Sequence, residues 1–141
     1  MIIRSIAGKL ADLDHQHGVQ EFTIERVVLS WDELHKRLIR TTTDVGRDIG
    51  IQLDSGHLHP GDILLREEHH LIVVDVKEES VLVIPVSNMN EMGLAAHAVG
   101  NMHAPIQIQQ ECVITPFNSV LQDQLRKLGL VPVKEDKAFV P

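Results

Sequence analysis

Short alternating runs of apolar and polar residues fill the first half of the chain, with the period of two that is typical of β-strands. The predicted strands cover residues 22–29, 37–43, 47–53, 63–65 and 71–76. The second and third of these flank Asp44-Val45-Gly46, so they predict a β-hairpin closed by a glycine-containing turn. We therefore expect residues 1–76 to form a small all-β domain.

After residue 77 the apolar positions change to a mixture of strand and helix periods. The predicted elements are a strand at 81–86, a helix from Asn88 to Gly100, strands at 106–109 and 112–114, a helix from Thr115 to Gly129, and a strand at 130–133. This β-α-β-β-α-β order is that of a ferredoxin-like domain. The chain as a whole is therefore predicted to be α+β, with the ferredoxin-like domain in residues 77–141.

Residues that favour helix ends set the boundaries of both predicted helices. Asn88, with a glutamate three residues later, predicts a capping box at the start of the first helix. Gly100 is expected to end that helix in the left-handed conformation, which suits a residue without a Cβ atom. Thr115 is predicted to be the N-cap of the second helix, with Pro116 in its first turn and Gly129 at its end.

The composition and motifs of the chain argue against several classes of function. The 141 residues carry a formal net charge of -7 and only 3% aromatic residues, which argues against nucleic-acid binding. A single cysteine, Cys112, excludes an internal disulfide and a cysteine-rich zinc site. The sequence shows neither a signal-peptide pattern nor an apolar run that would span a bilayer, so we expect a cytoplasmic protein without a membrane partner. It also contains no nucleophile elbow, Walker loop or His-Glu-x-x-His motif, and we predict that it is not an enzyme.

His103 is the candidate metal ligand with the most defined setting. It follows the predicted helix end at Gly100 in a short loop, and imidazole is the commonest metal-ligating side chain. One imidazole is too few to hold an ion, so a second ligand is required. Asn101 and Met102 beside it, and His97 in the preceding helix, are further candidates for contact with the metal or for positioning the loop.

The chain contains nine histidines, and several form close pairs. His15 with His17, and His57 with His59, are His-x-His pairs, which could chelate a metal from one face of a strand. Both pairs lie in loop-like sequence, so we interpret them as solvated, and we interpret His35, in a charged stretch, as a surface residue.

Several segments, in order along nearly the whole chain, carry a family resemblance. They are residues 40–51, Gly61-Asp62-Ile63-Leu64, Val81-Leu82-Val83-Ile84, Gly100-Asn101-Met102-His103 and residues 120–129. The sequence closely resembles the UreE-type urease accessory proteins, the nickel metallochaperones of urease maturation. The Gly-Asn-x-His motif with its flanking helices is the most specific part of this resemblance.

The resemblance implies a metallochaperone that delivers Ni(II) during the maturation of urease. Members of this family have an N-terminal β-domain and a C-terminal ferredoxin-like domain, through which they form homodimers. Each subunit then contributes the histidine of the Gly-Asn-x-His motif, here His103, to one nickel ion at the interface. Imidazole also suits Zn(II) and Cu(II), which we expect to bind in vitro. The implied partners are the urease-maturation GTPase and apo-urease with its other accessory proteins.

Two departures from the family pattern bear on the metal stoichiometry. Some members carry histidines at the start of the second C-terminal helix, but residues 115–119 contain none. Many members end in a histidine-rich tail, which residues 137–141 lack. We therefore expect a low stoichiometry, near one ion per dimer.

A metal-independent interpretation is the alternative. The β-domain would then be a protein-interaction module that binds an extended peptide. Arg37, Arg40 and Arg47, on the predicted hairpin, are candidate partner contacts, although a solvated strand face explains them equally well.

Overall fold

The computed structural model describes residues 1–13 and 21–141, so His15 and His17 lie outside the described residues. The chain divides into two compact units, residues 1–76 and residues 77–141. The first unit is rich in β-strands and the second combines strands with helices, which confirms the predicted α+β class. None of the helices in the described ranges is long and apolar enough to span a membrane.

In its described residues, the first unit contains two sheets and two single-turn helices. In chain order the elements are β1 (Ile2–Ile3), β2 (Gly8–Lys9), α1 (Leu10–Leu13), β3 (Thr23–Leu29), α2 (Trp31–Leu34), β4 (Leu38–Thr42), β5 (Asp48–Gln52), β6 (Asp62–Arg66) and β7 (His70–Val76). One sheet has the strand order β1-β5-β4 and the other β2-β6-β7-β3. The antiparallel β4–β5 pair is the predicted hairpin, with Ile39 opposite Ile51. The short helices α1 and α2 depart from the all-β prediction for this unit.

Helix α2 begins where the sequence pattern predicted only a break after a strand. The Ser30 hydroxyl accepts a hydrogen bond from the Glu33 backbone N–H at 3.2 Å, and the Glu33 carboxylate accepts one from the Ser30 N–H at 3.1 Å. This reciprocal pair is a capping box, which satisfies two backbone donors at the helix start. The helix places Leu34 in the core of the first unit.

Aliphatic side chains form this core because the chain has few aromatic rings. Strand alternation places Val27, Leu29, Ile51 and Ile72 inside, each at most 1% exposed. Full burial of one such side chain contributes roughly 1.5–3 kcal/mol. The hydrophobic effect therefore fixes the strand register that the sequence pattern indicated.

Glu25 is a buried carboxylate in β3, with 1% exposure. Its carboxylate accepts a hydrogen bond from His70 Nε2 at 2.8 Å, and Arg47 Nε lies 3.3 Å from its Oε2. Burial by itself raises the pKa of Glu25. Hydrogen bonds from Thr43 and His70, together with the charges of Arg47 and His70, outweigh burial and lower the pKa below its ordinary value of 4.5. The ionised carboxylate thus ties β3 to β7 and to the turn after β4.

The second unit contains a four-stranded antiparallel sheet and two helices. In chain order the elements are β8 (Glu78–Pro85), α3 (Met89–Asn101), β9 (Gln107–Ile108), β10 (Cys112–Pro116), α4 (Ser119–Lys127) and β11 (Val133–Ala138). The strand order is β11-β8-β10-β9. This arrangement confirms the predicted ferredoxin-like β-α-β-β-α-β order.

One hydrophobic cluster joins this sheet to both helices. Its fully buried members are Leu82 and Ile84 in β8, Ala95 and Val99 in α3, Val113 in β10, and Leu121 and Leu125 in α4. Because Val99 lies in the last turn of α3, the cluster anchors the end of that helix.

Two predicted boundaries around α4 are wrong. Thr115 lies in β10 and does not cap α4; the N-cap is Asn118, whose side chain accepts a hydrogen bond from the Leu121 N–H at 3.0 Å. The last strand covers Val133–Ala138 and not residues 130–133. Leu130 instead packs into the hydrophobic cluster as part of the turn that ends α4.

Candidate metal site at the end of helix α3

His103 stands just beyond the end of α3, and it is the left-handed residue there. The helix includes Gly100 and Asn101, and Met102 is its C-cap. The φ angle of His103 is 54°, and no other non-glycine residue in the described ranges has a positive φ. The prediction that Gly100 ends the helix in the left-handed conformation is therefore wrong.

Two backbone hydrogen bonds define this helix end. The Ala104 N–H donates to the Val99 carbonyl at 3.4 Å, and the His103 N–H donates to the Gly100 carbonyl at 3.0 Å. This pair of bonds is the Schellman motif, in which the first residue past the C-cap is left-handed and is usually glycine. His103 thus occupies a position at which glycine is preferred.

Helix α4 ends in the same motif and provides a comparison within the chain. The Leu130 N–H donates to the Leu125 carbonyl at 3.1 Å, and the Gly129 N–H donates to the Arg126 carbonyl at 3.0 Å. The left-handed residue here is Gly129, with a φ of 85°, as the sequence predicted. Because the left-handed conformation costs an L-residue roughly 1–2 kcal/mol, His103 carries a strain that α4 avoids.

The loop that follows His103 is fixed to the body of the second unit. The buried Thr115 hydroxyl donates a hydrogen bond to the Pro105 carbonyl at 2.9 Å. Met102 and Ala104 are partly buried against the hydrophobic cluster. The sequence pattern missed this tether, because no local signal marks a contact between a loop and a strand. The backbone on both sides of His103 is therefore anchored.

The His103 side chain itself is exposed. Within the parts of the chain that the structure describes, its ring makes no hydrogen bond or ion pair. Backbone strain of this kind is concentrated at functional sites. The result is an imidazole that stands on an anchored backbone and is accessible to an external ligand.

His97 and Asn101, one helical turn apart on α3, line a groove of about 330 Å³ between α3 and α4. Leu94 and Leu128 contribute apolar walls, and His103 is not among the lining residues. The Asn101 side chain makes no hydrogen bond to any described residue, so its role in orienting the loop stays a prediction. Metal contact by His97 or by the partly buried Met102 also stays a prediction.

A complete ligand set is absent from the described part of a single chain. No three His, Cys, Asp or Glu side chains there are arranged to hold a metal ion. At the end of α3 one chain offers one accessible imidazole. An ion bound by His103 would therefore need ligands from outside this chain.

The three arginines proposed as partner contacts have different surroundings. Arg40 lies in β4 and lines a groove of about 630 Å³ along the β1-β5-β4 sheet. Arg47, in the turn after β4, pairs with the buried Glu25. Arg37 precedes β4, and its carbonyl accepts a hydrogen bond from the Leu53 N–H at 2.8 Å. A contact between these arginines and a partner stays a prediction.

Comparison with known proteins identifies both units. Residues 3–77 match the family model of the UreE urease accessory protein, N-terminal domain, and residues 79–141 match that of the C-terminal domain. The urease accessory protein UreE of Staphylococcus carnosus (strain TM300) is 39% identical over 138 residues, which cover 97% of this chain and 91% of that protein. UreE of Staphylococcus aureus (strain MRSA252) is 38% identical with the same coverage. These matches confirm the resemblance seen in the sequence: the chain belongs to the UreE family of urease accessory proteins.

Proposed function

We propose that this protein carries Ni(II) as its cargo and delivers it during urease maturation, with each ion held between the His103 side chains of two copies. Membership of the UreE family supports the role in urease maturation. The observation that carries the metal proposal is the left-handed, anchored and exposed His103.

A homodimer supplies the second imidazole. A twofold axis brings the same surface of both chains together, so one exposed histidine becomes a pair. A site with two protein ligands leaves coordination positions open, and open positions allow an ion to pass to a recipient. Because the loop is anchored before the metal arrives, little backbone ordering is needed when the ion binds.

Imidazole chemistry fits Ni(II) but does not select it. Zn(II) and Cu(II) bind the same ligand type, so the choice of nickel rests on metal supply and on the partner. The proposed partners are the urease-maturation GTPase and apo-urease with its other accessory proteins, in the cytoplasm. In this scheme the protein catalyses no reaction.

Nickel titration of a His103→Asn variant tests the proposal. Asparagine tolerates the left-handed conformation but lacks the imidazole, so the variant removes the ligand and keeps the helix end. Calorimetry and sedimentation of the full chain are expected to show about one tight nickel site per two wild-type chains and no tight site in the variant. His69→Gln, which removes an exposed imidazole of the first unit, is the matched control and is expected to keep the tight site. Equal nickel affinity of the His103→Asn and His69→Gln variants would refute the proposal.

Peptide binding is a second candidate function, and the groove of the first unit favours it. Strand β4 lies at a sheet edge, where an extended peptide can add a strand. Leu38 and Ile2, 71% and 60% exposed, line this groove. We expect Leu38→Asp to weaken capture of the urease-maturation partners with unchanged nickel binding. Val45→Asp is the control, because Val45 is 70% exposed but lies outside the groove. Identical capture by both variants would exclude the groove as a binding site.

A further inference from the structure

Three histidines of the first unit form one column of rings, which we call the histidine column. The ring centroids of His35 and His57 are 4.3 Å apart, and the ring planes are inclined by 25°. The centroids of His57 and His59 are 4.4 Å apart, with an inclination of 31°. The sequence shows only the His57-x-His59 pair; the fold adds His35, because the β4–β5 hairpin brings the segment before β4 next to the segment after β5.

The backbone beneath the histidine column is fixed. The Leu58 N–H donates a hydrogen bond to the Leu34 carbonyl at 3.0 Å, and both leucine side chains are buried. The His59 N–H donates to the buried Asp62 carboxylate at 2.7 Å. The residues His35 and His59 are nevertheless exposed. The rings are thus brought together by the fold but have room to turn.

Two rings of the column have a defined tautomer. His35 Nδ1 lies 2.9 Å from the Trp31 carbonyl oxygen, and His57 Nδ1 lies 2.9 Å from the Leu58 carbonyl oxygen. A carbonyl oxygen only accepts hydrogen bonds, so each Nδ1 carries the hydrogen. In the neutral ring the lone pair then belongs to Nε2, the atom available to a metal.

His59 has a carboxylate near the corresponding atom: its Nδ1 lies 3.9 Å from Asp62 Oδ2, beyond hydrogen-bond distance. Histidines that bind metals generally donate their other ring nitrogen to a carbonyl or a carboxylate, which orients the ring and raises its basicity. Two rings of the histidine column, those of His35 and His57, thus donate Nδ1–H to a protein oxygen, as metal-binding histidines do.

We propose that the histidine column binds a borderline divalent transition-metal ion, of the class Ni(II), Cu(II) or Zn(II), through Nε2 atoms. As the three rings stand, they are not arranged to hold an ion, so the column has to close before it chelates. With metal–nitrogen bonds of ~2.1 Å, the ligand nitrogens of one ion lie roughly 3.0–3.4 Å apart, so the rings have to turn their Nε2 atoms toward a common point. Rotation of His35 and His59 around the half-buried His57 supplies that movement. Ca(II) and Mg(II), which require oxygen ligands, do not fit.

Trp31 is a built-in reporter for this site. It is the single tryptophan of the chain, and its ring centroid lies 6.4 Å from that of His35. A paramagnetic Cu(II) ion bound to the histidine column is expected to quench its fluorescence. The experiment uses the full chain carrying His103→Asn, so its outcome does not depend on the proposed nickel site at His103.

Cu(II) titration is expected to give saturable quenching that Zn(II) reverses by competition. His35→Gln and His57→Gln should each raise the Cu(II) Kd at least ~10-fold. His69→Gln is the control, because it removes an exposed histidine of the same unit that lies outside the column, and it should leave the Kd unchanged. Far-UV circular dichroism checks the fold of each variant, and His35, being exposed, is the safer position to substitute.

Nitrogen-15 NMR of the imidazole rings adds a readout that is independent of quenching. Zn(II) is expected to shift the Nε2 resonances of His35 and His57, while Nδ1 keeps its hydrogen. Coincident quenching curves for the His35→Gln, His57→Gln and His69→Gln variants would overturn the proposal, as would Nε2 resonances that Zn(II) does not move.

Discussion

Replacement of His103 by glycine tests the strained helix end separately from metal binding. The left-handed conformation costs an L-residue roughly 1–2 kcal/mol. Glycine avoids this cost but loses about 0.5–1 kcal/mol more in backbone entropy on folding. The exposed ring of His103 makes no hydrogen bond within the described chain, so its removal breaks no such bond. His103→Gly is therefore expected to stabilise the metal-free protein by about 0.5–1 kcal/mol.

Two further substitutions at the same position separate backbone strain from the imidazole. His103→Ala removes the ring but keeps the strain, so its free energy of unfolding should stay within about 0.5 kcal/mol of the wild type. His103→Asn should lie between the alanine and glycine variants, because asparagine is enriched in the left-handed region. All three variants should lose tight nickel binding, whatever their stability.

Urea unfolding in the presence of a chelator, followed by far-UV circular dichroism, measures these differences. With a slope of ~2 kcal/mol per molar urea, the glycine variant should unfold at a midpoint roughly 0.3–0.5 M above that of the wild type. A glycine variant no more stable than the alanine variant would show that His103 is not left-handed in solution. His103 would then not be a strained ligand.

Three other regions give predictions that can be checked in the same way. Gly100→Ala should stabilise the protein by about 0.5–1 kcal/mol, because Gly100 is inside α3 and nothing lies within 4 Å of an added Cβ. Gly129→Ala should destabilise it by about 1–2 kcal/mol, because φ there is 85°; equal changes in urea unfolding would contradict this assignment of the helix ends. Glu25→Gln should cost about 3 kcal/mol at neutral pH by breaking a buried ion-paired network. The pKa of Glu25 is lowered from 4.5. The stabilisation that the ionised carboxylate gives the folded protein is therefore complete above pH 4.5, and it is lost as the pH falls through the lowered pKa. The wild type should therefore lose stability in acid more steeply than the Glu25→Gln variant, and parallel pH profiles would count against the network. Thr115→Val should cost about 1–2 kcal/mol by leaving the Pro105 carbonyl without its donor. It should also speed nickel release in stopped-flow measurements, and an unchanged release rate would show that the tether does not position His103.

Core patterns in the sequence predicted the strands and helices because burial enforces them. Ile39 and Ile51, on facing strands of the hairpin, are both buried, and a register shift of one residue would expose them. In the second unit, the helical spacing of Leu121 and Leu125 similarly predicted the helix that they anchor. Buried apolar positions repeat along a strand or helix, so one misleading residue does not change which element is predicted.

Helix ends and long-range contacts were less accessible to prediction. At the end of α3, Met102 and Ala104 pack on the hydrophobic cluster, and His103 between them is the left-handed residue. The intrinsic preference for glycine, about 1 kcal/mol, favoured Gly100 instead. The meeting of His35 with His57 depends on how the β4–β5 hairpin returns the chain, which no local pattern records.

Mixing wild-type and His103→Asn chains tests the central claim, that His103 is half of a nickel site, most directly. The chains are mixed in varying ratios under conditions that exchange subunits, and tightly bound nickel is measured after removal of loosely bound metal. If each site needs His103 from both chains, bound nickel should fall with the square of the wild-type fraction. A fall in simple proportion to that fraction would show that each chain binds its ion alone, and the shared site between two copies would be refuted.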